Sequence, residues 1–134
     1  MSAIEYDLII FCGETLDSTS LELAWKLNDT PVNLTGYTAR AQGRAQPNPA
    51  ASLLFDWSTA NGKLAPLGID GVFFNPNVSA TETAALWKPT YPIADVVKGR
   101  QAYLAGAWDI EIMLSGTVKR MVQGRVLVVP EVIA

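Results

Sequence analysis

The chain has no histidine and only one cysteine among its 134 residues. The missing imidazole removes the commonest general base and the commonest transition-metal ligand together. A serine nucleophile would lack its usual proton acceptor. One thiol, Cys12, allows no internal disulfide, which suits a reducing compartment during synthesis, and without histidine it makes zinc implausible. Charge is scarce as well, at 17% of residues against 49% hydrophobic. The net charge is -3 and the bases are scattered, so neither nucleic acid nor a membrane surface is an expected partner. No apolar run approaches the ~20 residues of a membrane span, and Met1-Ser2-Ala3 lacks the basic start of a signal peptide. Asn28-Asp29 and Asp70-Gly71 are too sparse for a calcium loop, and the glycines form no phosphate cradle. The expectation is a non-enzyme without cofactor or metal.

What the chain does have is alternation. Trp108, Ile110, Ile112 and Leu114 interleave with Asp109, Glu111 and Met113, the period of a strand with one face in a core. Ser115-Gly116 supplies a tight turn, and Val118, Val122, Val126 and Val128 return. Gly124 interrupts the return strand and predicts a bulge or a close backbone approach. Upstream, strands are expected at Ile4 to Cys12, around Leu21, Leu23 and Trp25, at Tyr37 to Arg44, through Leu53, Phe55 and Trp57, and at Ile69 to Phe74. Ser79 with Glu82 three residues on is a capping box, predicting a short helix through Lys88 that Pro89 stops. Pro89 to Gly106 is the least legible stretch, with turn signals at Tyr91-Pro92 and Lys98-Gly99 and a short strand or edge at Ala94 to Val97. The sum is a single all-β domain over residues 1–134: an antiparallel, Ig-like β-sandwich of seven or eight strands with one short helix.

Two sets of residues stand out as contact candidates. Leu8, Ile9, Ile10 and Phe11 are apolar on both strand faces, as are Leu127 to Val129, so these strands must be covered twice, by a second layer or by another subunit. Trp25, Trp57 and Trp108 fall on the apolar phase of their strands and read as core. Trp87, near the helix end, stands between helix docking and partner contact. Asp109 and Glu111 share a strand face as paired catalytic acids would, but a solvated face is the stronger reading, with Arg40 and Arg44 placed to pair with them across the sheet.

The segment Leu23-Ala-Trp-Lys26, the run Pro31-Val-Asn-Leu-Thr-Gly-Tyr-Thr-Ala-Arg-Ala-Gln-Gly-Arg44, the first strand with Tyr6-Asp7-Leu8, the helix from Ser79 to Trp87 and the hairpin from Trp108 to Val132 together resemble small β-sandwich proteins of tailed-bacteriophage tails and baseplates, the baseplate upper-protein N-terminal domain among them. In such proteins a Tyr or Phe often precedes the hairpin aspartate, where this chain has Trp108. Pro89 to Leu104 looks like an insertion. The resemblance implies a structural virion component, made in the host bacterial cytoplasm, that attaches or adapts tail fibres through contacts with other tail, baseplate or fibre subunits, as a homo-oligomer in the particle. The interface candidates are then Leu8, Ile9, Ile10, Phe11, Trp87, Tyr91, Tyr103, Leu127 and Val129. A head-side decoration or head–tail joining protein is a close variant. A carbohydrate-binding sandwich for receptor recognition, using Trp87, Tyr91 and Tyr103, is the alternative from another class.

Overall fold

The computed structural model describes residues 3–132. Its elements in chain order are β1 (Ile4–Glu5), β2 (Leu8–Phe11), β3 (Leu23–Ala24), β4 (Lys26–Leu27), β5 (Thr30–Pro31), β6 (Thr38–Arg44), β7 (Leu53–Ser58), β8 (Val72–Phe74), α1 (Ala80–Ala84), β9 (Ile93–Val97), β10 (Arg100–Leu114) and β11 (Thr117–Val129). Seven strands form the main sheet, in the order β1-β11-β10-β6-β7, with β2 also on β11 and β9 also on β10. β3 with β8 and β4 with β5 make two small ladders.

The all-β expectation holds, and two of its details are corrected. The sheet is mixed, because β1 and β2 run parallel to β11. The strands among the described residues number eleven, because several expected strands are broken. Residues 4–12 divide at Tyr6-Asp7 into β1 and β2, and the Trp25 segment divides into β3 and β4. Of the expected strand from Ile69, only Val72–Phe74 is extended and paired, and Ile69 itself projects into solvent.

The hairpin of β10 and β11 is longer than its alternating part. The stretch that was hard to read holds β9 and the first half of β10, joined through Lys98-Gly99. Lys98 (φ 51°) and Gly99 (φ 75°) are both left-handed, as are Ser115 (φ 50°) and Gly116 (φ 84°) at the end of β10, and Asn28 (φ 49°) and Asp29 (φ 64°) between β4 and β5. Two consecutive positive φ angles make a type I′ turn, whose twist matches that of the strands it joins. The helix is capped as expected, with Ser79 and Glu82 reciprocally bonded, but it stops at Ala84, four residues short of Lys88. Thr83, fully buried, fixes it: its hydroxyl donates to the Glu14 carbonyl (2.8 Å) and accepts from the Gly13 N–H (3.1 Å).

The core lies on one face of the main sheet. Leu8 and Ile10, Ala39 and Ala41, Phe55 and Trp57, Trp108, Ile110 and Ile112 supply that face. Leu16, Leu34, Leu64, Phe73, Phe74 and Val78 close over it from the rest of the chain. Aromatic rings cross the core in contact: Phe55 stacks on Trp57 (3.9 Å), Trp57 tilts against Phe74 (6.4 Å), and Phe74 meets Trp108 edge-on (5.5 Å). Trp25 packs against this core as expected but is only half-buried at its margin, with the Lys119 ammonium 5.1 Å from its ring centre.

Gly124 marks a close approach, as its place in the strand predicted. A Cβ there would sit well inside van der Waals contact with the Tyr6 carbonyl oxygen. That same carbonyl accepts the Trp108 indole N–H (2.8 Å). Gly124→Ala is expected to destabilise the fold by about 2–4 kcal/mol in chemical denaturation, the range of severe core clashes. Gly62→Ala, where a side chain meets open space and only a positive φ opposes it, is expected to cost about 1 kcal/mol. Equal losses at the two positions would show that the Tyr6 contact imposes nothing.

Candidate functional site

The doubly apolar strands are covered by the chain itself. Leu8 and Ile10 are 0% and 1% exposed in the main core, and Leu127 and Val129 are each 1% exposed in a second, smaller cluster on the opposite sheet face. Ile9, Phe11 and Leu104 half-cover that second cluster, with Ala94 and Val97 of β9 against it and Lys98 5.2 Å from the Phe11 ring centre. Leu8, Ile10, Leu127 and Val129 are therefore corrected as interface candidates, since no partner can reach their side chains. Ile9 and Phe11 keep partial exposure. The signal misread in the sequence was the second covering layer, which comes from β9, inside the stretch without legible pattern.

Trp87, Tyr91 and Tyr103 are brought together. Trp87 lies edge-on to Tyr103 (4.8 Å) and to Tyr91 (6.2 Å), in the edge-to-face geometry that aromatic quadrupoles favour. All three are half-buried against the core, so Trp87 both docks the helix end and keeps an accessible edge. The Tyr103 hydroxyl donates to Gln101 (3.0 Å), and burial pushes the Tyr91 phenol up from its ordinary value. Cys12 is buried, and burial followed by the charge of Glu131 pushes its thiol up to about 11, so it is an inert core residue.

The other face of the sheet carries a concavity of about 780 Å³. Strand register builds its floor in rows. Ala107 lies between Arg44 and Arg125, Asp109 between Gln42 and Gln123, and Glu111 between Arg40 and Arg120. The small Ala107 side chain makes the hollow, and Gln46 to Pro49 wall it. Four guanidiniums and four carboxylates line it, Glu5 and Asp7 completing the acids.

The guanidiniums are all engaged, two of them by partners outside the hollow. Arg40 grips Asp56 with two bonds (3.1 and 2.8 Å), Arg125 grips Asp7 (3.1 and 2.6 Å), and Arg120 lies 3.5 Å from Asp109. Arg44 donates to the Ala51 carbonyl (2.9 Å) and to Gln42 (3.3 Å). The expected pairing of Arg40 and Arg44 with the β10 acids is thus corrected, because a β7 aspartate and a loop carbonyl take them. Bonds from Arg125 hold the Asp7 carboxyl below the usual carboxylate range, and bonds from Arg40 do the same for Asp56. That is the reverse of the raised pKa that a general acid needs, so neither Asp7 nor Asp56 is set up for that role. Sequence reading missed Asp7, Asp56 and Arg125. Asp56 was signalled by its place between Phe55 and Trp57, whereas Asp7 and Arg125, 118 positions apart, carried no local signal.

Asp7 also accepts the Arg125 backbone N–H (2.9 Å), so one carboxylate fills the gap between β1 and β2. Its folded pKa lies below the unfolded one. The stability it contributes is therefore present above the unfolded value of ~4 and is lost as pH falls through the folded value. Asp7→Asn is expected to cost about 1 kcal/mol near neutrality, a figure reduced for the part-exposed pair, with the gap to wild type narrowing below pH ~4. A gap that stays constant from neutral to acid pH would overturn the assignment. Comparison with known proteins adds no relative: no protein-family model matches the chain, and no curated protein does.

Proposed function

We propose that the chain is a structural protein of a tailed-phage virion, a tail or baseplate component that attaches or adapts tail fibres through protein–protein contacts. The observation that carries the reading is the run Pro31 to Arg44, whose Leu34-Thr-Gly-Tyr-Thr-Ala-Arg40 segment resembles the phage tail and baseplate type. Its parts have distinct structural work here: Leu34 is fully buried, Gly36 (φ 88°) turns the chain, and Thr38–Arg44 is an inner strand of the main sheet. Within this reading the main sheet is one layer of an Ig-like sandwich, and β3 with β8 and the segments flanking them form the other.

Exposed apolar side chains support an assembled state. Met113, Leu114 and Val118 cluster at the tip of the β10–β11 hairpin, and Ile93 and Val96 project from β9. Such surface is unfavourable on an isolated small protein and is ordinarily covered by a partner. The subunit repeats as a homo-oligomer whose neighbours are other virion proteins. Peptide mass spectrometry of gradient-purified virions is expected to find the chain at stoichiometric level, and light scattering of the purified protein to give a mass above one subunit. A chain absent from virions and monomeric at every concentration would sink the proposal.

The meeting of Trp87, Tyr91 and Tyr103 favours a second reading, a sugar-binding module for receptor recognition. It requires quenching or a shift of tryptophan fluorescence by a bound glycan, abolished in Trp87→Ala. A glycan array without signal removes it.

A further inference from the structure

A β-strand at the border of a sheet offers unpaired N–H and C=O groups to any strand that approaches. β7 is such a border, since among the described residues no strand pairs with it beyond β6. The Thr59 N–H donates to the Ala39 carbonyl (3.0 Å), so by antiparallel alternation the backbone groups of Ser58 and Asp56 point away from β6, toward the open side. Three of these four groups are taken, the Ser58 carbonyl by the Leu64 backbone N–H (3.1 Å) and the other two by one side chain. The Asn61 side-chain oxygen accepts the Ser58 N–H (3.0 Å), and its NH₂ donates to the Asp56 carbonyl (2.9 Å). One primary amide thus makes the two bonds, to the Asp56 carbonyl and the Ser58 N–H, that one residue of an added parallel strand would make. The amide is itself fixed, because its oxygen also accepts the Lys63 N–H (3.0 Å) and its own N–H is held by the Ser58 hydroxyl (3.1 Å).

The plug is needed because bulk does not close this border. Beyond β7 lies an open groove of about 370 Å³, bounded by Leu54, Trp57, Val78, Ala85 and Leu86. β9 repeats the device. Its two-residue turn pairs Val97 with Arg100, which leaves the Val96 N–H facing outward, and the Asp95 carboxylate accepts it (2.7 Å).

We propose that Asn61 and Asp95 are edge guards: their side chains occupy the Ser58 N–H and Asp56 carbonyl of β7 and the Val96 N–H of β9, and so hinder strand-to-strand addition of a second copy of this chain. Contacts with neighbouring subunits then run through side-chain surfaces. This goes beyond the virion assignment and stands or falls separately from it, because it concerns how the purified chain meets itself.

The test compares wild type with Asn61→Ala, Asp95→Ala and the double variant by sedimentation over a hundredfold range of concentration, and by amide hydrogen exchange. Wild type is expected to hold one mass. The double variant is expected to grow open-endedly with concentration, and Ser58 and Val96 amides in dilute samples to exchange at least tenfold faster than in wild type. A fluorescent peptide copying residues 52–59 covers the case in which the double variant fails to fold. It is expected to bind Asn61→Ala at least tenfold more tightly than wild type. Unchanged mass and exchange in the variants, or equal peptide binding by both chains, would overturn the proposal.

Discussion

The fold depends on the approach of the Tyr6 backbone to Gly124. The carbonyl of Tyr6 can reach the indole N–H of Trp108 only because the residue beneath it on β11 has no side chain. That single contact sets the break between β1 and β2, places Asp7 beside Arg125, and aims Leu8 and Ile10 into the core on the far side of the break. The indole would otherwise carry a buried, unpaired donor, at a cost comparable with a lost hydrogen bond. The β10–β11 hairpin is thereby joined to the first strands by a steric vacancy and a hydrogen bond acting at one point.

Satisfaction of backbone groups by side chains recurs at several points where the ladder fails. Asp7 serves the gap on β11, Asn61 the free side of β7, Asp95 the free side of β9, and Thr83 the turn beneath the helix. Among the described residues no buried side-chain polar atom lacks a partner. At these points the completing atoms are carboxylate, amide and hydroxyl groups of side chains. These residues look unremarkable in composition, because their worth depends on where the backbone opposite them stops.

Legibility in the sequence followed the range of the interaction. Local signals were read well: the alternation from Trp108 to Ile112, the Ser115-Gly116 turn and the Ser79–Glu82 box each depend on residues a few positions apart. The core phases of Phe55, Trp57, Ala39 and Ala41 were equally plain, because period two declares which face is inward. What stayed hidden was long-range. Parallel pairing of β1 and β2 with β11 has no mark in either segment, and the Asp7–Arg125 pair spans 118 positions. Doubly apolar strands declared that they would be covered, but not by what, and the cover proved to be β9, whose own residues alternate poorly. Of the contact candidates, the aromatic trio was recoverable as residue types, while its assembly at one place required the fold.

The parallel seating of β2 on β11 sets the order of synthesis against the order of completion. In any chain made from its N-terminus, Leu8 to Phe11 emerge early, yet the backbone they bond, Val126 to Val129, is made more than a hundred residues later. Until then an apolar strand stands unpaired while β6 to β8 are already present, and the loop that must close is nearly the whole domain. The early strands of this domain therefore wait for its late ones, and an apolar segment stays without its ladder in the meantime.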